Sequence, residues 1–419
     1  MSETKYFPSI EAIDHAATVL SQILEPTPFQ RNSNLSDTYG ADVYLKREDL
    51  QMVRSYKIRG AYNMIRSLSP ESLKNGIVCA SAGNHAQGVA FSCNKLQIVG
   101  SIFMPVTTPK QKIEQVRMFG KEFIEIILTG DTFDAANSAA MAYAEESGKT
   151  FIPPFDDPKV IEGQGTIGRE ILTQAKGPMD YIFVPIGGGG LASGLGAFIK
   201  QISPDTKIIG VEPGGAPCMK AAIESGHLVE LEEIDKFVDG AAVKKAGAKT
   251  YEICRKVLDD IVVVPEGAVC TTIIQMYNKS AIVVEPAGAL SAAALRFYAD
   301  KIKGKRVACI VSGSNNDITR MEEIREKSLL YEGLKHYFIV EFPQKPGVIV
   351  SFINSVIGPS DDLVYIQYIK KTNKNFGPAL IGIELAAKED FEPLIQRMDS
   401  LGIKYEYINE NNQLFEILI

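Results

Sequence analysis

The hexapeptide Ser55-Tyr56-Lys57-Ile58-Arg59-Gly60 sets a lysine between an aromatic ring and a branched aliphatic side chain. An ammonium in such company loses hydration, which disfavours its charged form and lowers its pKa. Lys57 is thereby a candidate nucleophilic amine. The characteristic reaction of such an amine is Schiff-base formation with a carbonyl, and pyridoxal phosphate is the commonest cofactor that exploits it. A solvated helix lysine is the plainer alternative. Three turns downstream tip the balance: Ser81-Ala82-Gly83-Asn84-His85, Gly187-Gly188-Gly189-Gly190 and Ser312-Gly313-Ser314-Asn315, each following an apolar, strand-like run. Together they read as one cofactor site.

Each turn offers different chemistry. Gly187 to Gly190 follow Tyr181-Ile182-Phe183-Val184 and lead into a helical stretch at Leu191. Backbone amides without side-chain obstruction, at the positive end of a helix, form a phosphate cradle. No Gly-Lys-Ser/Thr follows, so this is not a Walker loop, and the loose G-x-G-x-x-G pattern finds no support in the other turns. In the Ser81 turn, the amides and the Ser81 hydroxyl suit a substrate carboxylate, and the Asn84 amide suits a cofactor ring hydroxyl. Asn84 as a simple helix cap, and His85 as a packed histidine instead of a base, are the plainer readings. Ser312, facing a ring nitrogen, would present a neutral hydroxyl in place of a carboxylate. A ring nitrogen so held need not be protonated, which favours elimination over long-lived carbanions and transamination.

The elements that must position these turns form a rhythm. Apolar runs at Ile77–Ala80, Val99–Met104, Phe123–Leu128, Tyr181–Ile186, Lys207–Val211, Ile261–Val264 and Val307–Val311 alternate with helical stretches at 109–118, 131–147, 190–202, 267–279 and 288–299. An amphipathic helix from Ile10 to Leu24 precedes them, and residues 58–68 continue from Lys57 as a helix. Strands alternating with helices predict an α/β fold with a mostly parallel sheet covered on both faces. In open sheets of this kind ligands sit beyond the carboxyl ends of the strands, where the three turns fall. After residue 325 the order becomes β-α-β-β-α-β, with strands at 336–342, 363–369, 379–385 and 403–408. This is a ferredoxin-like α+β unit whose alternating strands predict one open sheet face. The expected division is 1–325 catalytic, 326–334 linker and 335–419 a second domain.

Composition agrees with small-molecule chemistry. The chain has 419 residues, 45% of them hydrophobic, enough for two cores. Its net charge of −7 argues against nucleic acid and anionic membrane surfaces as partners. Cys79, Cys93, Cys218, Cys254, Cys270 and Cys309 are scattered without a C-x-x-C pair, so reduced, buried thiols are expected and no metal site. The polar start, Met1 to Phe7, lacks a signal-peptide core, and no long apolar run suggests a membrane span. A cytoplasmic protein is expected.

Ser-Tyr-Lys-Ile-Arg-Gly-Ala, Ser-Ala-Gly-Asn-His-Ala-Gln-Gly, Gly-Gly-Gly-Gly-Leu, Val-Glu-Pro-Ala-Gly-Ala and Ser-Gly-Ser-Asn-Asn-Asp closely resemble the threonine dehydratases (threonine ammonia-lyases). These are pyridoxal 5'-phosphate enzymes of fold type II, the tryptophan synthase β-like fold. The resemblance spans the chain, including an ACT-like C-terminal domain as in the biosynthetic branch that supplies isoleucine. It implies two α/β lobes, with Lys57 as the Schiff-base lysine, Asn84 at the ring, Gly187, Gly188, Gly189, Gly190 and Leu191 at the phosphate, and Ser312 at the ring nitrogen. Ser81, Ala82, Gly83, Asn84 and His85 would hold the substrate. It further implies conversion of L-threonine to 2-oxobutanoate and ammonia, pyruvate from serine, an isoleucine or valine effector, and a homotetramer. Tyr56 stands where many relatives carry phenylalanine. Relatives with a divalent ion, such as serine racemase, pair a glutamate with an aspartate six residues later; here Glu212 is followed at that place by Cys218. Catabolic dehydratases and serine racemase share the core but usually lack the second domain, which favours the biosynthetic reading. A non-catalytic amino-acid sensor is the remote alternative.

Overall fold

The computed structural model of the chain describes residues 6–370 and 374–418. Met1 to Lys5 of the polar N-terminal stretch, the outer end of the first expected domain, and Ile419, that of the second, lie outside the described residues. The chain divides into two compact units, Met1–Ile318 and Thr319–Ile419. Among the described residues no helix is long and apolar enough to cross a membrane.

The first unit contains two sheets where the periodicity alone suggested one. Six strands run in the order Phe29–Arg31, Asp42–Arg47, Arg306–Val311, Tyr181–Pro185, Lys207–Pro213, Asp260–Val264. All pair in parallel except Phe29–Arg31, which is antiparallel to its neighbour. Four others, Ile124–Leu128, Gly100–Met104, Ile77–Ala80 and Thr150–Phe151, form a separate parallel sheet. Alternation of strand and helix dictates parallel pairing but carries no information about which strands share a sheet. The inner strands are buried along their length, as sheets with helices on both faces require.

A helix that hydrophobic periodicity did not single out, Pro158–Gln174, joins the two halves. Its start is written locally: Asp157 Oδ1 accepts the amides of Lys159 and Val160, and proline occupies the first turn. Its glycines remove side-chain bulk where other helices cross. A Cβ on Gly163 would lie 2.6 Å from the Arg59 carbonyl oxygen of the Lys57–Ser67 helix, and one on Gly165 would lie 3.0 Å from the Gly194 carbonyl of the Gly190–Ile202 helix. The helices that begin at Lys57 and at the tetraglycine run are thus seated on one common helix.

Charge pins the same junction. Arg59, 1% exposed, donates to Glu48 at 2.8 Å and to Glu170 at 2.6 Å. Lys46 also reaches Glu170, at 2.5 Å. Two cations against two carboxylates leave the buried group neutral overall, the condition under which charges are tolerated in an interior.

The second unit is the four-stranded antiparallel sheet expected, in the order Asp362–Tyr368, Phe376–Glu384, Lys335–Pro343, Lys404–Tyr407. Phe338, Val340, Phe342, Ile381 and Ile383 pack from one face against Phe352, Val356, Leu394 and Met398 of the helices Val348–Val356 and Phe391–Ser400. The other face is not fully open: Tyr337, Leu380 and Ile408 are buried with Leu330 and Phe415 packed on them. Apolar side chains at alternate positions on that face recruit this cover. The stretch 326–334, read as a linker, is helical through Tyr331 as part of Met321–Tyr331. Arg325 of this helix pairs with Glu384, and Glu326 accepts hydrogen bonds from Lys335 and Tyr337.

Candidate active site

Lys57 opens the helix Lys57–Ser67, and the loop before it is stitched to the Ser312 turn. Tyr56 donates its amide to the Ser312 carbonyl at 3.1 Å, and Ser314 donates to the Arg54 carbonyl at 2.9 Å. Arg54 sits at φ 58°, a left-handed conformation held by those bonds. The Lys57 ammonium donates to the Pro154 carbonyl at 3.2 Å and lies 5.4 Å from the Tyr56 ring centre. Burial pulls its pKa down to about 8, against the opposing pull of Glu285. A desolvated amine held by a neutral carbonyl is available as a nucleophile near neutral pH.

The Ser81 turn leads into the helix Asn84–Leu96, packed so closely on Lys57 that a Cβ on Gly88 would lie 3.2 Å from Ile58 Cα. Ser81 Oγ accepts the Gly83 amide at 3.2 Å. The amides of Asn84, His85 and Ala86, in the first turn, have no intrahelical acceptor. Ser81, Ala82, Gly83 and Asn84 are half-buried, whereas His85 is buried. Its Nε2 meets the Ile152 carbonyl at 2.9 Å, so that nitrogen carries the proton. Burial, and then the Lys57 charge, hold the ring neutral with a pKa near about 3. His85 is therefore a packed, uncharged residue.

Asn84 Nδ2 donates to Glu285 Oε1 at 2.6 Å, and Asn84 Oδ1 accepts Asn315 Nδ2 at 2.7 Å. The Ser81 and Ser312 turns are thereby joined. Ser312 is buried and donates its hydroxyl to the Ala287 carbonyl at 3.1 Å. Gly313 is required by contact, because a Cβ there would lie 2.3 Å from Glu285 Oε1. Glu285 itself is buried at the start of the helix Pro286–Ala293, and burial pushes it up to about 7. Two buried polar atoms in this cluster, Asn315 Oδ1 and Ser55 Oγ, have no hydrogen-bond partner among the described residues. They fit a polar ligand.

Gly187 to Gly190 connect the strand Tyr181–Pro185 to the helix Gly190–Ile202. Gly189 takes φ +92°, open to glycine and strained for other residues. Phe155 covers the run: a Cβ on Gly188 would lie 2.3 Å from its ring. Since Pro154 holds the Lys57 amine, the segment Pro154-Phe155 touches both the nucleophile and the glycines. Among the described residues the amides of Gly188, Gly189 and Gly190 donate to no protein acceptor, while the carbonyls of Gly187, Gly188 and Gly189 are all engaged. Leu191 is buried in the adjoining core. These features fit a phosphate-bearing aldehyde whose carbon meets Lys57.

Glu212 serves local structure. Its oxygens accept the amides of Met219 and Lys220, each at 2.8 Å, and so cap the helix Cys218–Ser225. Sequence alone assigned no site role to Pro154, Phe155 or the Arg59 network, whereas Asn315 already stood in the Ser312 turn. For Arg59 the signal was its place in the Lys57 motif. For Pro154 and Phe155 there was none, because a backbone carbonyl and a covering ring leave no motif.

A family model described as pyridoxal-phosphate dependent enzyme matches residues 20–313, and one described as the C-terminal regulatory domain of threonine dehydratase matches residues 326–418. The L-threonine dehydratase biosynthetic IlvA of Halalkalibacterium halodurans is 57% identical over 410 residues, covering 98% of this chain and 99% of that protein. Its namesake from Bacillus subtilis is 56% identical over 393 residues, or 94% of this chain and 93% of the relative. Among solved structures, the processed form of threonine deaminase isoform 2 from Solanum lycopersicum superposes with a TM-score of 0.72 at 40% identity, over 78% of this chain and 96% of that one. Maize serine racemase gives 0.71 at 30% identity, over 78% and 99%. With the desolvated lysine and the glycine cradle set in a matching fold, the chain belongs to the biosynthetic threonine dehydratases, pyridoxal-phosphate dependent enzymes with a C-terminal regulatory domain.

Proposed function

We propose that this chain converts L-threonine to 2-oxobutanoate and ammonia, with serine giving pyruvate as a side reaction, using pyridoxal 5'-phosphate. The observation that carries the reading is the Lys57 amine, depressed to about 8 by burial and held by the Pro154 carbonyl beside the glycine run. When bound, the cofactor supplies the electron sink that makes the α-proton of the amino acid acidic. Lys57 Nζ would hold the cofactor through its aldehyde, and the same amine, lowered to about 8, is the base that would take up the α-proton. The Gly188, Gly189 and Gly190 amides grip the phosphate, with Leu191 continuing the cradle. Asn84, oriented by Glu285 and Asn315, faces the ring. The amides of the Ser81–His85 turn hold the substrate carboxylate. Ser312 would bring no negative charge to the ring nitrogen, and its hydroxyl, which donates to the Ala287 carbonyl in this structure, would turn to donate to that nitrogen instead, which favours elimination.

The biosynthetic reading is favoured over a catabolic dehydratase or a serine racemase by the match of residues 326–418 to a regulatory domain and by the near full-length relatives. Under it, the chain performs the first step of isoleucine formation in the cytoplasm as a homotetramer. Residues 335–415 bind isoleucine or valine and bias the active state, which demands a ligand that distinguishes two states.

The decisive experiment is a spectrum of the purified protein with borohydride trapping, followed by lyase assays on threonine and serine. A visible band trapped on the Lys57 peptide, with 2-oxobutanoate formed from threonine, is expected. A colourless protein that stays inert after the cofactor is supplied ends the proposal. Identical threonine saturation curves with and without isoleucine and valine remove the regulatory part.

A further inference from the structure

In a trans peptide the carbonyl of one residue and the amide of the next lie in one plane and point in opposite directions. Holding the carbonyl therefore aims the amide. Each of the three carbonyls behind the glycine run is held by a side chain. Cys218 Sγ donates to Gly187 O at 3.7 Å, Thr250 Oγ1 to Gly188 O at 2.6 Å, beside the longer contact of the Gly247 amide at 3.3 Å, and Ser193 Oγ to Gly189 O at 2.7 Å, beside its own amide at 2.9 Å. These contacts aim the amides of Gly188, Gly189 and Gly190 respectively.

The three are not equivalent. A thiol is a weak donor, and Ser193 bonds the carbonyl four residues back as helix serines commonly do. Thr250 reaches across 62 residues of sequence, is fully buried, and makes the shortest of the three contacts. Its helix is fixed in turn, because the Asp156 carboxylate accepts the amides of Ala248, Lys249 and Thr250. The fit is close: a Cβ on Gly189 would lie 2.9 Å from Thr250 Cβ.

We propose that Thr250 is a positioning residue for the cofactor phosphate, acting through Gly188 O to hold the Gly189 amide toward the anion. Four consecutive glycines lose more backbone freedom than any other tetrapeptide when an anion orders them. A hydroxyl that orders them beforehand removes part of that cost from binding. This inference rests on the assignment of the glycine run to the phosphate.

The test compares cofactor-free wild type, Thr250→Val and Thr250→Ser, titrated with pyridoxal 5'-phosphate and with pyridoxal, which lacks the phosphate. Visible absorbance and borohydride capture on Lys57 report binding. Loss of one buried hydrogen bond predicts that Thr250→Val weakens the phosphorylated ligand about three- to tenfold. Pyridoxal affinity stays at the wild-type value, and Thr250→Ser restores the phosphorylated ligand. Thr250→Ala, which adds no atoms, should show the same selective loss and serves if the valine variant does not fold. Equal affinity of the variants and wild type for the phosphorylated ligand overturns the inference, as does an equal loss for both ligands. Failure of wild type itself to capture the phosphorylated ligand on Lys57 instead defeats the functional reading beneath it.

Discussion

The side-chain amide of Asn84 donates to Glu285 Oε1 at 2.6 Å, a bond between residues 201 positions apart. It joins the first turn of one helix to the residue that opens another. Burial is the main cause of the high Glu285 pKa, about 7, and the Asp239 charge adds to it.

That shift has a stability consequence with a definite sign. A carboxyl whose folded pKa is raised binds its proton more tightly than the unfolded chain does. Its contribution is present below about 4.5 and lost as pH rises through about 7. Glu212, also raised to about 7 by burial, acts in the same direction. Melting temperatures of the cofactor-free protein should fall across this window, and those of Glu285→Gln should fall less. Parallel curves for the two proteins would remove Glu285 from the account.

Lys57 should react with the titration of a buried amine. With a pKa of about 8, about a quarter of it is uncharged at a pH of about 7.5, against roughly one part in a thousand for an ordinary lysine. Capture of pyridoxal by the cofactor-free protein, trapped with borohydride, should reach half its limiting rate near pH 8. Glu285 raises the Lys57 pKa, so Glu285→Gln should move that midpoint lower. A midpoint above about 10 would mark a solvated lysine.

Arg59→Ala removes one of the two cations that neutralise Glu48 and Glu170. Breaking a buried pair from one side costs about 3–5 kcal/mol. Urea unfolding of the cofactor-free protein should show a loss of that order. A change below about 1 kcal/mol, typical of exposed pairs, would mean that the network is solvated.

Gly313→Ala places a methyl group 2.3 Å from Glu285 Oε1 and 3.2 Å from the Arg54 carbonyl oxygen. Glu285 cannot retreat without breaking its bond to Asn84. Threonine turnover should drop by at least about tenfold, the rate equivalent of roughly 1.4 kcal/mol. Turnover within a factor of two of wild type would show that the Asn84–Glu285 contact does not matter to the chemistry.

Much of this protein is legible from short range in its sequence. The desolvated setting of Lys57, the glycine turn between strand and helix, the alternation of elements and the β-α-β-β-α-β order all follow from neighbouring residue types, because local sterics and side-chain periodicity decide them. Tertiary structure alone decided the rest. It divided the parallel strands between two sheets, seated the Lys57 and Gly190 helices on Pro158–Gln174, and bonded Asn84 to Glu285. It also assigned His85 to the Ile152 carbonyl, Glu212 to a helix end, and Thr250 to the back of the glycine run. Such pairings depend on which distant segments pack together, and the energy of that packing is shared over the whole core and not written at either partner.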